Sequence, residues 1–276
     1  MKKPKSKAEI ALVIPARWGS TRFPGKCLHF IAGKPLVQHV WERSLQAKGI
    51  SRVLIATDDD RIAESAMDFG ADVLMTAENH PSGTDRIAEV AARLRGMTHF
   101  INVQGDEPLI DPKLIESLAS SMLKDPKTAM ITAATPFLNA SEADDPNCVK
   151  VVIGISGNAL YFSRSTIPFH RDSLDPKSAV LPLLHLGIYG YRRDILRKLV
   201  SLSPTPLEHC EKLEQLRALE HGIPIRVVLT NHRGIGVDTP ADAVRVEKLL
   251  KNDAKRLKTV TPRKKSGVGR ARTRSN

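Results

Sequence analysis

The sequence predicts an α/β fold: a mixed, mostly parallel sheet flanked by helices, with a small antiparallel extension. In the first half of the chain, short apolar runs rich in β-branched residues alternate with segments of helical spacing. From about residue 147 the pattern changes to two strand-like runs facing each other across a glycine turn. At 276 residues, 41% hydrophobic and 26% charged, the chain is long enough to bury a full-sized core.

Ile10 to Ile14 reads as a buried parallel strand feeding the loop Pro15 to Lys26. In that loop Gly19 and Gly25 admit close backbone approach, Ser20 and Thr21 offer hydroxyls, and Arg17, Arg22 and Lys26 supply positive charge. A polyanion, a triphosphate above all, is the natural occupant, although neither GxxxxGK(S/T) nor GxGxxG is present. The alternative is a glycine turn with solvated charges, which suits one cation better than three within ten positions.

A helix is expected over Pro35 to Lys48, then a strand from Arg52 to Thr57 ending in Asp58-Asp59-Asp60. Helix Arg61 to Phe69 stops at Gly70, a left-handed cap position, and Asp72 to Met75 follows as a strand. His80 to Arg86 is a turn opening helix Ile87 to Arg95, with Thr84 as the expected N-cap and a helix N-terminus suited to anions. Thr98 to Val103 is a buried-type strand that runs into Gln104-Gly105-Asp106-Glu107-Pro108.

Ligands in open α/β sheets gather beyond the carboxyl ends of strands, so this acidic turn and the basic loop should border one cleft. Carboxylates beside phosphate-binding cations suggest magnesium, which takes one or two carboxylates and completes its shell with water and substrate phosphates. Asp106 is the candidate ligand; a turn or cap role before helix Asp111 to Leu123 is the alternative.

Residues 128–137 read as a strand. Val149 to Ile153 and Ala159 to Ser163 form a hairpin, and Leu183 to Tyr191 is a strand with His185 and Tyr189 on one face. This extension, about 147–192, is expected to shape a second-substrate pocket or a dimer surface, or to be an edge sheet alone. Helices Arg193 to Leu202 and Leu207 to His221 follow, the second turning Glu211, Glu214, Gln215 and Arg217 mostly to solvent. After strand Ile225 to Leu229, Gly234 to Pro240 leads into helix Ala241 to Leu250, with Asp238 as a second candidate carboxylate.

The formal charge is +12, but residues 1–10 contribute a net +3 and residues 252–276 a net +8, leaving about +1 for 11–251. Nucleic acid is therefore no default partner, except nonspecifically through the tail. The domain reading is a basic extension 1–9, one domain 10–251 and a basic tail 252–276. From Thr259 on, that tail has two valines and no aromatic residue and is expected to be disordered. Cys27, Cys148 and Cys210 are widely spaced without CxxC, which disfavours disulfides or zinc and suits a reducing cytosol. No apolar run reaches signal-peptide or membrane-spanning length, so a cytoplasmic protein is expected.

Taken together, Pro15-Ala16-Arg17, Ser20 to Lys26, Gln104 to Pro108, Tyr161 to Arg164, His185 to Tyr191 and Gly236 to Pro240 resemble the 3-deoxy-manno-octulosonate (Kdo) cytidylyltransferases. The resemblance spans about residues 10 to 250. It implies a Rossmann-like sheet of the nucleotide-diphospho-sugar transferase type, a homodimer, and CMP transfer from CTP to the anomeric hydroxyl of Kdo, with pyrophosphate released. It further implies catalytic roles for Arg17, Arg22, Lys26, Asp106 and Asp238, with the two aspartates binding Mg²⁺. Nucleotide contacts would come from Ala16, Arg17, Gly19, Ser20, Arg22, Lys26, Ser82, Gly83, Thr84, Arg86 and Gln104. Sugar contacts would come from Arg164, His185, Tyr189, Glu214 and Gln215. Leu184 and Trp18 depart from the pattern, which often has a basic residue before the histidine and a smaller residue in the loop. The alternatives are a cytidylyltransferase for sialic acid or an amino analogue of Kdo and, from a different class, a nucleic-acid-binding module driven by the tail.

Overall fold

The computed structural model describes residues 8–19, 22–169, 171 and 182–259. The first half alternates as expected: β1 (Ile10–Ala16), a two-residue ribbon β2 (Phe30–Ile31) and β3 (Lys34–Pro35), α1 (Leu36–Ser44), β4 (Arg52–Thr57), α2 (Asp60–Asp68), β5 (Asp72–Met75), α3 (Gly83–Arg93), β6 (His99–Asn102), α4 (Pro112–Lys124) and β7 (Met130–Pro136). The second half is α5 (Ala140–Asp144), β8 (Lys150–Ile153), β9 (Ala159–Ser163), β10 (Leu183–Arg192), α6 (Arg193–Ser201), α7 (Pro206–Glu211), α8 (Gln215–Glu220), β11 (Ile225–Leu229) and α9 (Pro240–Thr259).

The main sheet runs β11-β7-β10-β6-β1-β4-β5, with β8 pairing on β10 and β9 on β8. β1 lies parallel to both β4 and β6. The chain steps outward from β1 through β4 to β5, then returns to the other side of β1 as β6. Strand order therefore reverses beside β1, and the crevice at the carboxyl ends of β1 and β6 is where such a sheet takes its ligand. Successive β1 residues serve opposite faces: Leu12 and Ile14 join one apolar core, Ala11 and Val13 the other. A third, smaller core packs Val237, Ala243 and Val246 against Ile31 and Leu36, which docks the start of α9 beside the β1 loop.

Several expectations need revision. β10 is not an edge strand: it lies inside the main sheet, antiparallel to both β6 and β7. Leu186, Ile188 and Tyr191 are buried within it, while the hairpin β8–β9 hangs from its first two residues. The N-cap of α3 is Ser82, whose hydroxyl accepts from Asp85 N, and Thr84 lies within the first turn. The helix expected over Leu207 to His221 breaks where Lys212 takes a left-handed conformation (φ 54°). Finally, α9 continues to Thr259, so the backbone of 252–259 is helical; the rest of the tail, 260–276, lies outside the described residues.

Candidate active site

The basic loop owes its shape to two close approaches. Gly25 is left-handed (φ 68°) and its N–H donates to the Trp18 carbonyl at 3.1 Å. A Cβ there would come within 2.8 Å of the Trp18 indole, so only glycine fits. Trp18 is fixed in turn by the Arg61 guanidinium, 3.5 Å above its ring centroid. On the other wall, a Cβ on Gly105 would sit 2.8 Å from the Pro15 carbonyl oxygen, so glycine lets the turn after β6 press against the end of β1.

These approaches bring together residues 80 and more positions apart. Lys26 Nζ lies 2.5 Å from Asp106 Oδ2 and 3.0 Å from Asp238 Oδ1, and it also donates to the Val237 carbonyl at 3.2 Å. Arg22 Nη2 reaches the second oxygen of Asp238 at 2.9 Å. Val237 N–H donates to the Asp106 carbonyl at 2.8 Å, tying the 234–239 segment to the acidic turn. Burial pulls the Lys26 ammonium pKa down, but Asp106 and then Asp238 outweigh it, and the net shift is upward. Beside them, burial and the Asp106 charge push the Glu107 carboxyl up to about 7.

Asp106 and Asp238 thus converge on one cation, the Lys26 ammonium. Two converging carboxylates at the mouth of a cationic cleft are the donor set that fits magnesium, which takes water and phosphate for the rest of its shell. Among the described residues no group of three or more His, Cys, Asp or Glu gathers to hold a metal without a substrate.

The cleft around this centre measures about 530 Å³ and is lined by Ala16, Arg17, Gly19, Arg22, Lys26, Ser82, Gly83, Arg86, Gln104, Asp106 and Asp238. Every expected nucleotide-side residue except Ser20 and Thr84 is on its wall. Ser20 lies outside the described residues. Arg86 is held from behind: Nη2 donates to Asp58 Oδ2 at 2.5 Å and Nη1 to the Thr76 hydroxyl. The cleft also takes in His80, which no local sequence motif singles out as a site residue; its ring pairs with Glu89 at 2.5 Å.

Past Arg17, Ser82, Gly83 and Gln104, which border both, lies a second pocket of about 350 Å³. Thr84, Tyr189, Glu214 and Gln215 line it. After the break at Lys212, α8 starts with Gln215 buried, which corrects the solvent-facing reading for that residue, while Glu214 borders the pocket and remains exposed. Thr84 donates its hydroxyl to Glu214 at 3.1 Å, and protein atoms around the Glu214 carboxylate raise its pKa. β10 reaches the pocket through a bulge between Leu186 and Tyr189: Thr132 donates to the Leu186 and Ile188 carbonyls, and Gln104 Nε2 donates to Gly187 O at 3.0 Å.

The two remaining sugar-side candidates are not on either wall. The Arg164 side chain donates to the Glu211 carbonyl at 2.7 Å and the Pro146 carbonyl at 2.9 Å, bracing β9 against α7. His185 sits behind Tyr189, ring centroids 5.3 Å apart, with Nε2 and the Thr132 hydroxyl 2.9 Å apart; burial drives its pKa down to about 3. Both support the pocket wall instead of forming it. Leu184 pairs across to Thr135 and Lys150 within the sheet.

Cations facing paired carboxylates at a switch point, with a polar pocket alongside, define a nucleotidyltransferase type of site. The chain belongs to the cytidylyltransferase family, whose model matches residues 11–226. It is 52% identical over 247 residues to the 3-deoxy-manno-octulosonate cytidylyltransferase of Syntrophotalea carbinolica, covering 88% of this chain and 98% of that protein. The enzyme of the same description from Geobacter sulfurreducens is 49% identical over 249 residues, covering 88% and 99%. Among solved structures, CMP:2-keto-3-deoxy-manno-octonic acid synthetase complexed with CTP superposes with a TM-score of 0.84 at 43% identity, covering 89% of this chain and all of that one.

Proposed function

We propose that this chain transfers CMP from CTP to the anomeric hydroxyl of Kdo, giving CMP-Kdo and pyrophosphate for lipopolysaccharide synthesis. The observation that carries this is the meeting of Lys26, Arg22, Asp106 and Asp238 at one end of a cleft that opens into the Tyr189–Glu214 pocket. In the reaction the sugar oxygen bonds to the α-phosphorus, the bond to the β-phosphate breaks, pyrophosphate departs with that electron pair, and the hydroxyl proton leaves to solvent. Arg17, Arg22 and Lys26 hold the triphosphate and neutralise the departing charge. For that, Lys26 and Arg22 exchange their carboxylate partners for phosphate oxygens, which leaves Asp106 and Asp238 to hold magnesium. Bound there, magnesium supplies a Lewis acid that acidifies the attacking hydroxyl and screens the α-phosphate. Ser82, Gly83, Thr84, Arg86 and Gln104 position the nucleotide, and Tyr189, Glu214 and Gln215 the sugar acid, with Arg164 and His185 bracing that wall.

The enzyme acts in the cytoplasm; among the described residues no helix is long and apolar enough to cross a membrane. It works as a homodimer through the β8–β9 hairpin, where Ile155 and Leu160 are exposed; Leu229 is exposed on β11, the strand to which the hairpin is bridged by Asn158 and Arg226. Pyrophosphate release by the purified protein with CTP, Mg²⁺ and a small panel of sugar acids tests the reaction and its acceptor together. Kdo should be turned over fastest; release with no acceptor, or with sialic acid in preference, would overturn the assignment.

A further inference from the structure

Asn102 ends β6 on the face it shares with Phe100, where the sheet is otherwise aromatic and aliphatic. Tyr189 stands opposite it on β10 and Val13 on β1. Only 3% of its surface is exposed, yet its side-chain oxygen has no hydrogen-bond partner among the described residues. A buried amide left unpaired is unfavourable, and such groups in native structures have a partner that completes them. The small exposed part of Asn102 lies on the wall of the 350 Å³ pocket.

Three of the polar side chains on that wall are already committed. Gln104 Nε2 donates to the Gly187 carbonyl, Thr84 to Glu214, and Arg217 makes a two-point pair with Glu208 at 2.8 and 2.5 Å. The Asn102 amide offers one acceptor and one donor group on a single planar head, and its two ends exchange by a half-turn of the amide. The chemistry that matches such a head is a hydroxyl, which both donates and accepts. A carboxylate, which only accepts, would leave the amide oxygen unsatisfied.

We propose that Asn102 is an acceptor-binding and specificity-determining residue: its amide pairs with a hydroxyl of the sugar acid. This rests on the pocket being the acceptor site, as proposed above. The amide is completed by substrate and not by protein, so replacing it with an isosteric apolar side chain removes an unsatisfied group from the free protein and a partner only from the bound one.

The experiment compares Asn102→Leu and Asn102→Ser with the wild-type enzyme in steady-state assays with CTP, Mg²⁺ and Kdo, each beside a thermal melt. Turnover by the wild type tests the reaction assignment first and separately. Asn102→Leu should raise the KM for Kdo about tenfold, the loss of one hydrogen bond, with the KM for CTP within twofold and a melting temperature equal to or above wild type. Kdo analogues lacking single hydroxyls locate the partner: one of them should lose about tenfold in kcat/KM with the wild type and less than twofold with Asn102→Leu. An unchanged KM for Kdo in both variants, a rise confined to or equal for CTP, or a lowered melting temperature in both would overturn the proposal.

Discussion

The two halves of the site are built by different means. The nucleotide cleft is ionic and lies near the surface: Lys26, Arg22, Asp106 and Asp238 satisfy one another across loops that follow β1, β6 and β11. The proposed acceptor pocket is set between sheet and helices and depends on packing: a bulge in β10, a broken helix at Lys212, and the rings of His185 and Tyr191 against Tyr189. On the proposed reading the charges that pair across the cleft also bind substrate, and Arg22 and Asp238 are exposed, so replacing one should alter chemistry more than stability. In the pocket, the wall and its supports are inseparable, and a change there moves both.

That contrast can be broken or sharpened by substitution. The largest effect should come from Asp106→Asn or Asp238→Asn, which removes a carboxylate from the converging pair. Turnover should drop about 10²–10³-fold with the melting temperature nearly unchanged; near-normal rates in both would remove the metal assignment. Lys26→Met takes a charge-assisted donor from the triphosphate and leaves the two aspartates without their shared counter-ion, so the KM for CTP should rise about tenfold or more. An unchanged KM for CTP would show that Lys26 only neutralises the aspartates. Glu214→Gln should raise the KM for Kdo several-fold while that for CTP stays within twofold, and a matching rise in both would merge the two halves into one.

The smallest effect is one of stability. The folded His185 stays neutral until about pH 3, whereas an unfolded histidine binds its proton near pH 6.5. Between those values the unfolded chain holds the extra proton, so stability is present above about pH 6.5 and lost as pH falls, by at most about 1.4 kcal/mol per pH unit. Burial also lowers the pKa of His39, His99 and His232, so the wild type has a slope from several sources. His185→Gln should flatten urea-unfolding stability between pH 6.5 and 5 relative to wild type. An identical slope would mean that His185 is protonated in the folded state.

The same contrast explains what was legible in the sequence. The strand–loop run Ile10 to Lys26 and the Gln104 to Pro108 turn carry their chemistry locally, and the switch-point rule places them together without further information. Asp238 could be singled out as a carboxylate, but its approach to Lys26 depends on the small core under α9. The acceptor side was harder. Period-two spacing rightly put His185 and Tyr189 on one face, but which of them reaches the pocket is set by depth within the sheet. Helical spacing over 207–221 continues through Lys212, and no glycine or proline marks the break there. Asn102 reads as one more residue of a buried strand, and only its lack of a partner in three dimensions singles it out.

The most direct test of the account is phosphorus NMR of the wild-type protein with CTP, Mg²⁺ and Kdo. The triphosphate signals should be replaced by those of pyrophosphate and a single sugar-linked phosphodiester in equal amounts, and only when Kdo is present. CTP that stays intact, or that falls to CMP without Kdo, would contradict it.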